Sequence, residues 1–479
     1  MKPDIVFYQQ YAVPYFGILA LNGHLRQKGF KADLIIDSLE KDVIKTLKSI
    51  EPEVIGISAM STEHTWLIKR INLIKEAIPE VKIIVGGVHA IFYPVEILKS
   101  APVDIVCHSE GEEVLVKLLE ELVKSSPDLS KIDGIAYSDK SGEIHLNDRA
   151  MLVPFNDEII EDRDIYYNRY PQIAQDEVHR FFSSRGCPYK CSFCYNANIH
   201  DIFHGKGKYV RQKSVSNFLN EIELQHKKYS MKSVFFYDDL FTFDKKWLAE
   251  FLIKYKEKIN VPFMCTTRAN LIDENTVKIL KDAGCRTVSF GVETGTYEIR
   301  SKILKKDISD QKIIECGNLF NKYGVKVQTA NMFCLPDETV KDALKTIEIN
   351  IKTKTDFAFS ALFMPFPKTA ITEYCISKGY LKSDYDIIDM PASFLTDSVL
   401  KIPDKKKIMN VHFLSYFFIK HPFLFKTFKW CVRISFFNKI YYYIFLLSNL
   451  LRHKGERGIS FFAAIRFAWR LRKSFKGND

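Results

Sequence analysis

The stretch Arg185-Gly186-Cys187-Pro188-Tyr189-Lys190-Cys191-Ser192-Phe193-Cys194-Tyr195 sets three cysteines within eight residues, just after the apolar pair Phe181-Phe182. Three thiolates this close can converge on one soft metal centre, and Gly186 and Pro188 supply the tight backbone that such a wrap needs. Four cysteines would close a zinc site or an iron-sulfur cube completely. Three leave one corner open. The residues alone leave two further readings: a zinc site completed by a remote ligand such as His200 or His204, and three unrelated core cysteines. Zinc ligands more often pair as Cys-x2-Cys on both sides.

The chain around this loop has 479 residues, enough for two or three domains. Ten cysteines are too sparse for a disulfide scaffold, and a thiolate cluster survives only in a reducing compartment. The start, Met1-Lys2-Pro3-Asp4-Ile5-Val6-Phe7, has no long apolar signal core. A cytoplasmic address is expected. The net charge is +11, but residues 401–479 alone hold 17 Lys/Arg against 3 Asp/Glu, so the basic character belongs to the tail.

Residues 1–125 alternate short Ile/Val-rich runs (4–10, 32–37, 54–60, 82–87, 104–108) with helical patterns (17–28, 65–77, 112–123). That alternation predicts a Rossmann-like, doubly wound parallel sheet covered on both faces. Such sheets bind ligands at the carboxyl ends of their strands. The informative turns are therefore Ser58-Ala59-Met60-Ser61-Thr62, Gly86-Gly87-Val88-His89 and Ser109-Glu110-Gly111-Glu112. Paired glycines let backbone approach a flat ligand, and Ser61 and Thr62 suit either a helix cap or a ligand. No Gly-x-Gly-x-x-Gly follows the first run, which argues against a dinucleotide. Residues 126–178 read as a connector: a hairpin around Asp139-Lys140-Ser141-Gly142, then an aperiodic acidic and aromatic stretch, 156–170, which fits a bridge passing the substrate mouth but reads first as a surface linker.

From 179 to 385 the alternation resumes with six strand candidates (180–184, 233–237, 262–267, 287–292, 325–333, 357–364), predicting a partial (β/α)6 barrel. Barrel enzymes keep their chemistry at the carboxyl ends of the strands. The cysteine loop follows the first strand, Asp238-Asp239 the second, Arg268 the third and Glu293-Thr294-Gly295 the fourth, while Asn331 sits late in the fifth. A carboxylate at the second strand suits an ammonium group, Glu293 suits ribose hydroxyls or the ammonium, and Arg268 suits a carboxylate. Asp238 and Asp239 also precede the helix near Lys245 and would serve equally as caps.

The spacing Cys-x3-Cys-x2-Cys, with Phe193 before the last cysteine, resembles the signature of the radical S-adenosylmethionine (SAM) superfamily. Gly86-Gly87-Val88-His89, Pro94, Asp104-Ile105-Val106 and Glu110-Gly111-Glu112 are similar to the cobalamin-binding domain that precedes the radical domain in one branch of it. The resemblance implies a [4Fe-4S] cluster on Cys187, Cys191 and Cys194, whose open iron chelates SAM and yields a 5′-deoxyadenosyl radical. It implies SAM contacts from Phe193, Asp238, Asp239, Arg268, Glu293 and Asn331. Cobalamin would meet Ser58, Ser61, Thr62, Gly86, Gly87, His89, Glu110 and Gly111. The chain lacks Asp-x-His-x-x-Gly, so no histidine on cobalt is expected, and His89 and His108 read as structural. Where relatives commonly have Gly-Leu-Pro-Gly-Glu-Thr, this chain has Cys334-Leu335-Pro336-Asp337-Glu338-Thr339.

Residues 386–479 form a basic, aromatic, helical tail. Its apolar runs, 413–419, 441–447 and 461–465, are each too short to span a bilayer. A lid with peripheral contact at the inner membrane face, a lid alone and a nucleic-acid surface all fit basic residues interleaved with rings, the last least well. The resulting expectation is carbon methylation of a hydrophobic or lipid-like small molecule, with flavodoxin or ferredoxin as reductant and no nucleic acid. The alternatives are a ring-forming oxidative cyclase and a metal-binding sensor without turnover.

Overall fold

The computed structural model describes residues 2–155, 161–391 and 393–457. The run 461–465 and the tail's last arginines and lysines lie outside them. The described residues divide into two compact units: those up to 177 together with 199–230, and 178–198 together with 231–457.

In the first unit, β1 (Ile5–Gln9), β2 (Ala32–Ile36), β3 (Val54–Ser58), β4 (Lys82–Gly86) and β5 (Ile105–Cys107) pair in parallel in the order β2-β1-β3-β4-β5. Every residue of β1 is buried, as a strand covered on both faces requires. The expected hairpin forms as β6 (Ile135–Ser138) and β7 (Ile144–Leu146) and extends this sheet antiparallel from β5. Helices α1 (Phe16–Gln27), α2 (His64–Ala77) and α3 (Gly111–Leu122) fall where their periodicity predicts.

The reading of 156–170 as a surface linker is overturned for its described part, 161–170. Tyr166, Tyr167 and Tyr170 are buried in the core of the first unit. Tyr166 donates to Gln9 Oε1, Tyr15 N donates to Tyr166 Oη at 2.9 Å, and Tyr170 donates to Glu40 Oε1 at 2.6 Å. The segment lacks periodicity because it docks through single tyrosines rather than through one helical face. Beside it, Glu161, Arg163, Lys213 and Glu221 form a buried charge quartet: Lys213 Nζ lies 2.6 Å from Glu221 and 3.3 Å from Glu161, and Arg163 lies 3.2 Å from Glu161. Two cations and two anions at these distances offset much of the desolvation that each would suffer alone.

The second unit is a curled sheet of six parallel strands: β8 (Val178–Phe181), β9 (Ser233–Phe236), β10 (Phe263–Thr267), β11 (Cys285–Glu293), β12 (Lys326–Phe333) and β13 (Phe357–Leu362), neighbouring one another in that order. This is the predicted partial barrel. Helices α4 (Lys405–Lys420), α5 (Pro422–Phe428) and α6 (Asn438–Arg457) follow. Val411, Leu414 and Phe418 of α4 and Phe445 of α6 share one core with Leu362 of β13 and Phe333 of β12. Ser415 donates to Ser360 of β13 at 2.9 Å. Among the described residues no helix is long and apolar enough to cross a membrane.

Candidate functional site

The cysteine loop is held by backbone before any metal chemistry is considered. Ser192 N donates to Leu304 O at 3.0 Å, its hydroxyl to Ile303 O at 2.6 Å, and Cys194 N to Cys191 O at 3.1 Å. Phe193 packs against the core cluster that contains Phe333. Arg268 lies over the ring of Tyr189, 3.9 Å from its centroid, and donates to Cys191 Sγ at 3.5 Å and to Asn270 at 2.9 Å. Asn270 donates in turn to the Tyr189 hydroxyl at 3.2 Å. The guanidinium expected to meet a carboxylate thus meets a sulfur.

The donor set fits a multi-iron centre. Sulfurs sharing one zinc at ~2.3 Å would sit only about 3.8 Å apart. The three sulfurs do not all lie within 4.8 Å of one another, a closeness that among the described residues only Asp139, Glu143 and His145 reach. One iron per sulfur accommodates the wider spacing. Burial, aided by Asp239 and the other two sulfurs, pushes the Cys187 thiol up to about 11, and burial does the same for Cys194. The bare thiolates of Cys187 and Cys194 are therefore disfavoured, and cations would have to hold them ionised. His200 makes its contacts with Asp201, at 3.3 Å, and Tyr209.

At the end of β9 the two aspartates divide. Asp238 is buried, and its Oδ1 accepts from Ser183 N at 3.0 Å, Ser183 Oγ at 2.8 Å and Ser184 Oγ at 2.5 Å. Neither aspartate caps the following helix, because Asp244 does so, accepting from Lys246 N and Trp247 N. Asp239 lies at the end of the strand, where desolvation by the surrounding protein raises its carboxyl, with a hydrogen bond from Asn196 opposing the shift. Asn196 also bonds Cys194. Sequence reasoning missed it, although its place two residues after the last cysteine, in a helix's first turn, was a usable signal.

Glu293 has a positive φ of 64° and pairs with Lys306 at 2.7 Å, a lysine that sequence reading did not single out. Lys306 donates also to Gly291 O at 2.8 Å, and a Cβ on Gly291 would sit 1.8 Å from Glu293 Oε1. Thr294 is buried, and Gly295 packs on the helix Val340–Lys352, where a Cβ would meet Lys345 backbone at 2.2 Å. The expected SAM contact from Asn331 is corrected. Residues 326, 328 and 330 of β12 line the interior, so alternation sends Asn331 to the outer face. There it is used up by Thr329, Phe359 O and Asn350. Along the inner face runs a cavity of about 810 Å³, lined among others by Arg180, Phe235, Met264, Gln328 and Phe359, and reaching Asp239.

In the first unit, Ser58, Ser61, Thr62, Gly86 and Gly87 gather at the carboxyl ends of β3 and β4. Gly87 has φ +88°, and a Cβ there would meet Ala59 O at 2.7 Å, whereas one on Gly86 would meet nothing within 4 Å. The face of Gly86 is thus open, at the carboxyl end of β4. Glu63, also missed, is buried, accepts from Tyr15 and Met60 N at 2.6 Å each, and is pushed up to about 7 by burial. His89 is buried against His64, 2.9 Å between ring nitrogens, and His108 is buried too. Glu110 is committed to Arg211 at 2.5 Å and to Val153 N, and Gly111 abuts Leu21.

A partial parallel barrel with three cysteines after its first strand, following a doubly wound sheet with an open glycine turn, defines a radical-enzyme architecture with a corrinoid-type domain. Residues 181–349 match the Radical SAM superfamily and residues 5–119 the B12 binding domain. The chain belongs to the radical SAM family whose members carry a B12-binding domain. It is 28% identical over 355 residues to the uncharacterized methyltransferase PH0819 of Pyrococcus horikoshii, covering 72% of this chain and 75% of that one. It is 23% identical to the anaerobic magnesium-protoporphyrin IX monomethyl ester cyclase of Rubrivivax gelatinosus, covering 72% of this chain and 63% of that one. The solved structure of OxsB, a cobalamin-dependent SAM radical enzyme with aqua-cobalamin and SAM bound, shares the fold with a TM-score of 0.70 at 17% identity, covering 94% of this chain and 72% of that one. The protein is a radical SAM enzyme, and the cofactors of its family are a [4Fe-4S] cluster, SAM and cobalamin.

Proposed function

We propose that this enzyme methylates an unactivated carbon of a hydrophobic or lipid-like substrate. The observation that carries the reading is that Asp239, which meets Asn196 and Cys194, also lines a cavity whose apolar residues include Phe235, Met264 and Phe359. Cys187, Cys191 and Cys194 would hold the cluster, Asp239 would accept the SAM ammonium, and Glu293, steadied by Lys306, would meet ribose or ammonium. Phe193 backs the loop, and Arg268 serves Cys191 rather than SAM. Asp238 positions the end of β8. Ser58, Ser61, Thr62 and Gly86 would meet cobalamin, with Gly87, His89, Glu110 and Gly111 shaping the turns around them. When bound, these groups supply a reducing electron, hydrogen abstraction and a transferable methyl group. The aromatic and Met264 part of the lining would hold the substrate carbon, while Arg180, Arg286 and Lys326 would meet polar groups of the same molecule. Flavodoxin or ferredoxin is the proposed reductant.

The test is anaerobic reconstitution with iron, sulfide and hydroxocobalamin, then reduction with SAM and candidate lipids. Formation of 5′-deoxyadenosine together with S-adenosylhomocysteine supports methylation. 5′-Deoxyadenosine without S-adenosylhomocysteine favours ring formation, a second reading that the likeness to the cyclase supports. Neither product, beside an intact cluster, defeats both.

A further inference from the structure

Helix α6 is apolar on two sides. Tyr441 and Phe445 enter the core of the second unit, with Ser448 and Arg452 buried on the same face. Ile440, Tyr443, Leu447 and Leu451 recur at steps of three and four residues and are all exposed. A surface helix normally turns a polar face to water. The segment leading into α6 behaves alike, with Phe423 76%, Trp430 58% and Phe436 89% exposed.

The charge beside these rings is of one sign. Between Asp404 and Glu456 there is no acidic residue. Lys426, Arg433 and Lys439 are exposed, and none has a carboxylate within salt-bridge reach among the described residues. Lys429 only approaches Glu348, at 3.9 Å. Unneutralised cations flanking exposed rings complement an anionic head-group layer over an acyl boundary, and no described helix can go further and span it.

We infer that the exposed face of 422–451 docks the enzyme onto a bilayer surface containing anionic lipid. A phosphate-tracking nucleic-acid surface would not need the Ile440–Leu451 stripe, and the complete absence of carboxylates fits lipid phosphates better than a second copy of this equally basic face. The inference is independent of turnover, so it and the proposed methylation fail separately.

The experiment is sedimentation of the full, reconstituted chain with vesicles of phosphatidylcholine alone and of phosphatidylcholine with phosphatidylglycerol. Binding is expected to the second and not the first, and to weaken with salt. The pair Phe436→Ser with Tyr443→Ser, and separately Lys426→Glu with Arg433→Glu, should each weaken it roughly tenfold or more. All four side chains are exposed, and an unchanged unfolding midpoint verifies the fold. No vesicle binding by the parent chain overturns the inference, as does binding that both variants retain. So does a lipid-free dimer, seen by light scattering, that the same substitutions dissociate.

Discussion

Arg268 Nη1 donates to the sulfur of Cys191 at 3.5 Å although 77 residues separate the two. The third barrel strand thereby sends a permanent cation to one of the proposed cluster ligands, with Tyr189 of the same loop stacked beneath it.

A hydrogen bond to a charged group contributes about 1.5–3 kcal/mol, so Arg268→Ala should weaken cluster retention about ten- to hundredfold. It should also lower the reduction potential, because a nearby cation favours the more negative, reduced state. Arg268→Lys keeps the charge and should restore the potential more than the iron content. Iron and sulfide analysis with a redox titration reads both; an unmoved potential in Arg268→Ala would detach this residue from the cluster.

Asp238 collects three donors from Ser183 and Ser184. Asp238→Ala orphans them at the end of β8 and should cost about 3 kcal/mol or more, whereas Asp238→Asn, still an acceptor, should cost less. Denaturant midpoints decide; equal stability of all three proteins would contradict the assignment of Asp238 as a pin.

Burial pushes Glu338 up from 4.5 to about 8, against hydrogen bonds from Leu335 N and Cys334 N. The folded state then binds its proton more tightly than the unfolded chain. Its contribution is greatest below the unfolded value and is lost as pH rises through about 8, at up to about 1.4 kcal/mol per pH unit. Glu338→Gln should flatten the decline of stability from about pH 5 to pH 8 relative to the parent. Parallel decline in the two proteins would refute it.

Gly86 and Gly87 separate ligand contact from backbone need. Gly87→Ala forces a Cβ against Ala59 at positive φ and should destabilise the first unit by about 1–2 kcal/mol. Gly86→Ala meets open space and should leave the melting temperature alone while lowering retained cobalamin. Full cobalamin in a stable Gly86→Ala protein would move the cofactor away from this turn.

The two sheets were legible because strands buried on both faces read as continuous Ile/Val runs, and the cysteine loop because its spacing is local. Contacts made across long separations were not: nothing near Arg268 points to Cys191, and nothing near Glu293 points to Lys306. Tyr166 and Tyr170 were missed because single anchoring side chains leave no period. The error at Asn331 was avoidable, since counting alternate residues along β12 sends it outward. The replacement of glycine in the loop after β12 is informative in retrospect, for Cys334 and Asp337 both adopt positive φ, at 59° and 60°. Asp337 is anchored there by the hydroxyls of Tyr374 and Tyr380.

The chain's path also limits how the protein can be taken apart. Because 199–230 fold with the first unit, a gene cut at residue 177 would strip Lys213 and Glu221 from the quartet and leave Glu161 and Arg163 paired only with each other, with the elements that cover them gone. Such a fragment should be insoluble or misfolded. A workable truncation would have to carry 199–230 back by a designed fusion, so the corrinoid module is not separable from the radical module by scissors alone.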